Sequence, residues 1–189
     1  MWIRCHAKSL GGTDSQFYGR EHMTIKPYWI EGPWEGKLAM VPRPRGGDWL
    51  EDDMLSLRQA ELDIIVSLLT SDEVIKLGLD REEHCSSSNG LLFLSFPIVD
   101  RSVPASQMAT LDFVQRLEKE LAKGKKIAIH CRQGIGRSAV IAACLLVLAG
   151  LDPEKAFERI SAARGYSVPE TTEQKQWVRK FANIAELQP

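Results

Sequence analysis

Residues 126–149 constrain the fold of this chain more than any other stretch. Lys126-Ile127-Ala128-Ile129-His130 is a short run with β-branched side chains, which reads as a buried strand. Residues 139–149 form the longest apolar run in the chain, 11 residues. That is too short for a membrane span, which takes about 20, and it reads as a helix buried in a protein core. Between them lies a tight polar loop, so the chain passes from a buried strand directly into a buried helix. In open α/β sheets such junctions, at the carboxyl ends of strands, are where ligands bind.

The flanking segments alternate in the same way from Thr24 onward. Tyr28–Ile30 and Lys37–Val41 read as short strands around a Gly32-Pro33 turn, and residues 42–47 as a loop. Asp48 suits the N-cap of a helix over 49–60, with Leu50, Met54 and Leu57 on one face. Residues 63–69 and 91–96 read as buried strands, the second stopped by Pro97. Between them a short helix at 72–77 precedes a polar loop containing Ser86-Ser87-Ser88-Asn89-Gly90. Pro104 opens an amphipathic helix with Met108, Leu111, Val114, Leu117 and Leu121 on one face, ending near Gly124. Two more helices follow at about 153–163 and 170–186, the last with Trp177, Phe181 and Ile184 on one side. The expected fold is α/β, with a central, mostly parallel sheet flanked by helices.

Composition narrows the function classes. The 189 residues suit one domain, and 44% hydrophobic with 26% charged residues suits a packed core. Lys plus Arg (24) against Asp plus Glu (25) leaves a net charge of −1, which argues against a nucleic-acid partner. No apolar signal segment follows a basic start. Four cysteines without paired spacing suggest no disulfide framework and no structural zinc. The expectation is a reduced, cytoplasmic protein with no metal or other cofactor and no membrane span. Residues 1–22 are polar and aperiodic; they read as a flexible arm or an appended extension, with Met23 as a natural start and 23–189 as one domain.

The loop at the strand–helix junction is His130-Cys131-Arg132-Gln133-Gly134-Ile135-Gly136-Arg137-Ser138. A helix N-terminus offers unpaired N–H groups and a positive dipole end, together an anion site. Two glycines let successive amides turn toward one centre. Arg137, in the first helical turn, can fork onto an oxyanion. A thiol at the floor of such a cup loses its proton well below the ordinary value of about 8.5, which would make Cys131 a nucleophile aimed at a tetrahedral anion. Taken alone, Cys131 suits an inert core cysteine equally well, as Cys144 in the apolar helix illustrates. The combination with Arg137, two glycines and the junction is what points to chemistry.

The spacing His130-Cys131-(five residues)-Arg137-Ser138 resembles the phosphate-binding loop of cysteine-dependent protein tyrosine and dual-specificity phosphatases. Residues 24–187 are similar to small members of the kinase-associated type, through Arg43-Pro44-Arg45-Gly46-Gly47, Val66-Ser67-Leu68-Leu69 and Phe96-Pro97-Ile98-Val99-Asp100. The resemblance implies a phosphatase fold and two-step phosphoryl transfer: the thiolate attacks phosphorus, a carboxylic acid protonates the leaving oxygen, and water hydrolyses the thiophosphate. It assigns Cys131 as nucleophile and Arg132, Gln133, Gly134, Ile135, Gly136 and Arg137 as the phosphate cradle.

Asp100, 31 residues before Cys131 in a loop with proline at both ends, matches the family's general acid. Asp112, on the polar face of a helix, reads as surface. Ser138 resembles the hydroxyl that bonds the thiolate, and it also suits a helix start. His130 is expected to orient the loop, as a core histidine also would; His6, His22 and His84 show no ligand spacing. Gln174 matches the glutamine that positions the hydrolytic water, and a plain helix cap explains it equally. Glu170 departs from the family pattern, standing where classical members carry a further glutamine. Arg43 and Arg45 are candidates for the pocket rim or for a solvated loop. Cys85 reads as incidental, or as a partner that traps oxidised Cys131.

The implied substrate is a phosphorylated protein or peptide, with phosphate and vanadate as ligands. Two alternatives stand: a phosphoinositide or inositol-phosphate phosphatase on the same scaffold, and a pseudophosphatase that binds phosphoproteins without turnover. Lipid phosphatases of this type carry lysines at the first and fourth positions after the cysteine; here these are Arg132 and Ile135, so phosphotyrosine peptides are expected to be preferred.

Overall fold

The computed structural model describes residues 25–186. The reading of residues 1–22 lies outside that range. Five strands form one sheet: β1 (Tyr28–Ile30), β2 (Lys37–Val41), β3 (Ile64–Ser67), β4 (Leu92–Ser95) and β5 (Lys126–His130), in the order β1-β2-β5-β3-β4. β5 runs parallel to β2 and β3, and β3 is parallel to β4, while β1 closes one edge antiparallel to β2. The sheet is thus mostly parallel and flanked by helices, as expected. The register sets Val41, His130 and Ser67 side by side. Three neighbouring strands therefore end level, and the loops that leave them share one edge.

The helices are α1 (Leu50–Gln59), α2 (Ser71–Lys76), α3 (Glu82–Ser88), α4 (Gln107–Ala122), α5 (Arg137–Leu148), α6 (Pro153–Arg164) and α7 (Thr172–Ala185). Alternation along β5 separates two apolar clusters. Ile127 and Ile129 join α4, α5, α6 and α7 on one face, and Ala128 joins Leu57 of α1 and Cys85 of α3 on the other. α5 is buried from Arg137 to Val147. Each fully buried leucine on it, such as Leu145 and Leu146, contributes about 1.5–3 kcal/mol.

Four local expectations are corrected. Asp48 is not an N-cap: it lies in a 3-10 turn over Gly47–Trp49 that runs directly into α1. Glu51, Asp52 and Asp53 instead supply negative charge to the first turn of α1. The supposed polar loop around Ser86 is largely helix α3, whose inner face carries Glu82, Cys85 and Ser86 rather than the aliphatic residues a periodicity reading looks for. β4 is half-exposed rather than buried, because it is the sheet edge; Leu92 is 52% exposed. α4 starts at Gln107, where the Ser106 hydroxyl accepts from the Ala109 amide, so Pro104 precedes the helix and Met108 faces out.

Candidate active site

The loop 131–136 leaves the carboxyl end of β5 and enters α5 at Arg137. Gly134 has φ +65, and a Cβ there would stand 2.6 Å from the Val41 carbonyl oxygen. Only glycine lets the loop lie this close to the end of β2. A Cβ on Gly136 would meet Glu170 Oε1 at 2.8 Å and Gln174 Nε2 at 2.9 Å, so the second glycine brings α5 up to the segment before α7.

A cavity of about 450 Å³ opens above the loop. Cys131, Arg132, Gln133, Ile135, Gly136 and Arg137 line it from below. Asp100, Arg101 and Glu170 line it from two other loops. Gly134, Ser138, His130 and Gln174 do not reach the cavity wall; they support it from behind.

Cys131 is buried, with Sγ 3.5 Å from Ser138 Oγ. Burial pushes its thiol up, but the Ser138 hydroxyl, the amides of Ser138 and Ile135 and the charge of Arg137 outweigh it and hold the thiol below the ordinary range. Ser138 is thus both a helix-start residue and a partner of the sulfur, so its two readings coexist.

Arg137 is 2% exposed and heavily bonded. Nη1 donates to Glu73 Oε2 (2.7 Å) and to the Ile98 carbonyl (2.8 Å). Nη2 donates to Glu73 Oε1 (2.9 Å) and to Asp100 Oδ1 (2.7 Å). Glu73 is therefore a bidentate partner that fixes the plane of the guanidinium. Burial pushes the Glu73 carboxyl up, yet Arg137 and the Thr70 amide bring it below the usual carboxylate range. The same contacts raise the guanidinium further, against its own desolvation. Sequence reasoning missed Glu73. Its signal was the capping box Thr70-Ser71-Asp72-Glu73 directly after β3, which the structure confirms.

The loop carrying Asp100 is pinned at three points. The Ile98 amide donates to the Leu68 carbonyl, Asp100 accepts from Arg137, and the Ser102 carbonyl accepts from Gln174 Nε2 at 3.1 Å. Arg101, between two of these points, sits at φ +58, an uncommon conformation for a non-glycine residue.

Gln174 is fully buried and engaged at both ends. Its Oε1 accepts from the Thr171 amide as half of a capping box, and its Nε2 holds Ser102. The residue that enters the cavity from this segment is Glu170.

His130 is buried against Glu82 of α3, a second residue missed from sequence, with Nε2 2.8 Å from Oε1. No local pattern marks Glu82; only the packing of α3 brings it there. Burial pushes the imidazole down, but the Glu82 charge outweighs it, and the net direction is upward.

Arg43 and Arg45 do not line the cavity. Arg45 forks onto buried Asp53 and lies over Trp49, while Arg43 Nη1 bonds the Pro44 carbonyl. Asp112 is exposed on α4. Cys85 belongs to the apolar cluster on the far side of the sheet from Cys131. Among the described residues no group of three or more His, Cys, Asp or Glu is arranged to hold a metal ion, and no helix is long and apolar enough to cross a membrane.

Comparison with known proteins adds three findings. Residues 40–151 match a family described as "Tc-R-P: Polymorphic toxin system, DSP-PTPase phosphatase". A putative tyrosine phosphatase of invertebrate iridescent virus 6 is 35% identical over 153 residues, covering 79% of this chain and 51% of that protein. Human cyclin-dependent kinase inhibitor 3 is 27% identical over 138 residues, covering 70% of this chain and 63% of the relative. The chain thus spans between about half and two thirds of the length of such relatives. Among solved structures, kinase associated phosphatase with its catalytic-site cysteine replaced by serine aligns at TM-score 0.82 and 21% identity, over 89% of this chain and all of that one.

Proposed function

Because the chain belongs to the DSP-PTPase phosphatases, we propose that it hydrolyses phosphotyrosine in protein or peptide substrates through a cysteinyl-phosphate intermediate. The observation that carries this reading is a single cavity in which the thiol of Cys131, held below its ordinary range, shares a wall with Arg137 and Asp100. Cys131 attacks phosphorus, while the loop amides and Arg137 carry the equatorial oxygens. Asp100 donates its proton to the leaving phenolic oxygen. In the second step the Asp100 carboxylate takes a proton from water as that water displaces sulfur, and Ser138 bonds the departing thiolate.

The charge around the cavity favours a monophosphate. Arg101 and Arg132 both line it, so a second cation is available, though not from Arg43 or Arg45. That pair is the observation that favours a phosphoinositide as the second reading. Glu170 lines the same cavity, however, and its carboxylate would oppose the additional phosphates of an inositol headgroup.

The test is kcat/KM for a phosphotyrosine peptide, a phosphoserine peptide and a soluble short-chain phosphoinositide at one ionic strength. The phosphotyrosine peptide is expected to lead, with the phosphoserine arm reporting dual specificity. A phosphoinositide preferred tenfold or more would replace this reading with the second one. Binding of the phosphopeptides without turnover would identify a pseudophosphatase.

A further inference from the structure

His130 follows Ala128 by two residues on β5, so its side chain faces the α1 and α3 side of the sheet, opposite the cluster that holds Cys131. On that face its Nε2 lies 2.8 Å from Glu82 Oε1, and the two side chains are 0% and 1% exposed. Its other ring nitrogen, Nδ1, lies 3.4 Å from the Cys131 carbonyl oxygen. Both neighbours are acceptors. A neutral imidazole has one N–H and would leave a lone pair toward one of these oxygens, whereas an imidazolium carries an N–H on both sides; the Glu82 contact is a close ion pair rather than an aligned hydrogen bond. Glu82 has no other charged partner among the described residues, and a buried carboxylate needs one.

We propose that Glu82 is a positioning residue for the chemistry of Cys131: from behind the sheet it fixes His130 as a cation, and through His130 it holds the loop carbonyl and keeps Cys131 in its reactive form. The proposal rests on the reading of Cys131 as the nucleophile. It also has a sign that separates it from a plain charge effect. Acting through space alone, the Glu82 carboxylate would oppose a thiolate, so its removal would make Cys131 more acidic. Acting through His130, its removal takes away the nearer cation, so Cys131 becomes less acidic.

The test is alkylation of Cys131 by iodoacetamide as a function of pH in the full chain, read by mass spectrometry of the Cys131 peptide, alongside kcat/KM against pH. The other charged groups facing Cys131 — Arg137, Asp100, Arg101, Arg132 and Glu170 — stay unchanged in every variant. Glu82→Gln is expected to raise the alkylation midpoint by about one pH unit, with a loss in kcat/KM of about tenfold near pH 6 that shrinks as pH rises. Glu82→Asp, which keeps the charge, stays nearer to the wild type. E82Q/H130Q should match H130Q, because Glu82 acts only through that ring.

An unchanged or lowered midpoint in Glu82→Gln, or an equal loss of rate at every pH, overturns the proposal. Should E82Q fail to fold, Glu82→Asp carries the test, because the shorter side chain keeps a buried carboxylate but draws it back from the His130 ring: a midpoint raised above that of the wild type supports the proposal and an unchanged one overturns it. If Cys131 of the wild type reacts only like an ordinary thiol, the nucleophile reading itself fails. A normal wild type with an unshifted E82Q removes only the role of Glu82.

Discussion

Two carboxylates share the guanidinium of Arg137, and their surroundings separate their work. Glu73 is 12% exposed and bidentate, a fixed partner that sets the plane of the fork. Asp100 is 45% exposed and makes one contact to the same group, so solvent can supply its proton and it can turn toward a leaving oxygen. Asp100→Asn is therefore expected to slow aryl phosphates with basic leaving groups by about 10²–10⁴ and those with acidic leaving groups far less. Rates plotted against leaving-group pKa check this; an equal loss across the series would remove Asp100 from the acid role.

At the scale of elements, the start of α7 and the Asp100 loop form one unit. Thr171 and Gln174 cap the helix reciprocally, and only Gln174 continues to the Ser102 carbonyl. Thr171→Ala and Gln174→Ala should each lower stability by about 1 kcal/mol through loss of the cap, measured by denaturant titration. Gln174→Ala should in addition free the Asp100 loop and reproduce part of the leaving-group dependence of Asp100→Asn. If the two variants behave alike in turnover, Gln174 is a cap and nothing more. The glycine-bearing loop and α5 are coupled in a comparable way: Gly134 lies against the end of β2, so three strand ends and one helix start set the shape of the cavity floor together.

Over the whole molecule, the sheet sorts the described cysteines by reactivity. Cys131 lies at the cavity with a depressed thiol, while Cys144 inside α5 and Cys85 on the far face are both pushed up, chiefly by burial. A disulfide needs Cα atoms within about 7 Å and side chains directed at one another, and the sheet lies between the clusters of Cys85 and Cys131. Mild peroxide should therefore oxidise Cys131 first and abolish turnover, with added thiol restoring it. Peptide mapping without reductant is expected to show no Cys85–Cys131 link; finding one would require the α3 face to open.

Much of this was legible in the chain itself, because the signals were local. The strand, polar loop and buried helix of 126–149, the spacing of Cys131 and Arg137, and the proline-bounded Asp100 segment depend on nearest neighbours and short periods, which sequence displays directly. Only the tertiary structure decided the rest. α3 escaped notice because its inner face is Glu82, Cys85 and Ser86, a polar pattern that reads as loop until another element buries it. Glu73 showed as a helix cap, but its grip on Arg137 joins residues 64 apart. Arg45, four residues past the end of β2, was drawn away to Asp53, while Arg101, six residues past the end of β4, came to the cavity on a strained backbone. Which charges meet is set by how the parallel strands order themselves and where their loops converge, and that order is a property of the packed sheet rather than of any stretch of sequence.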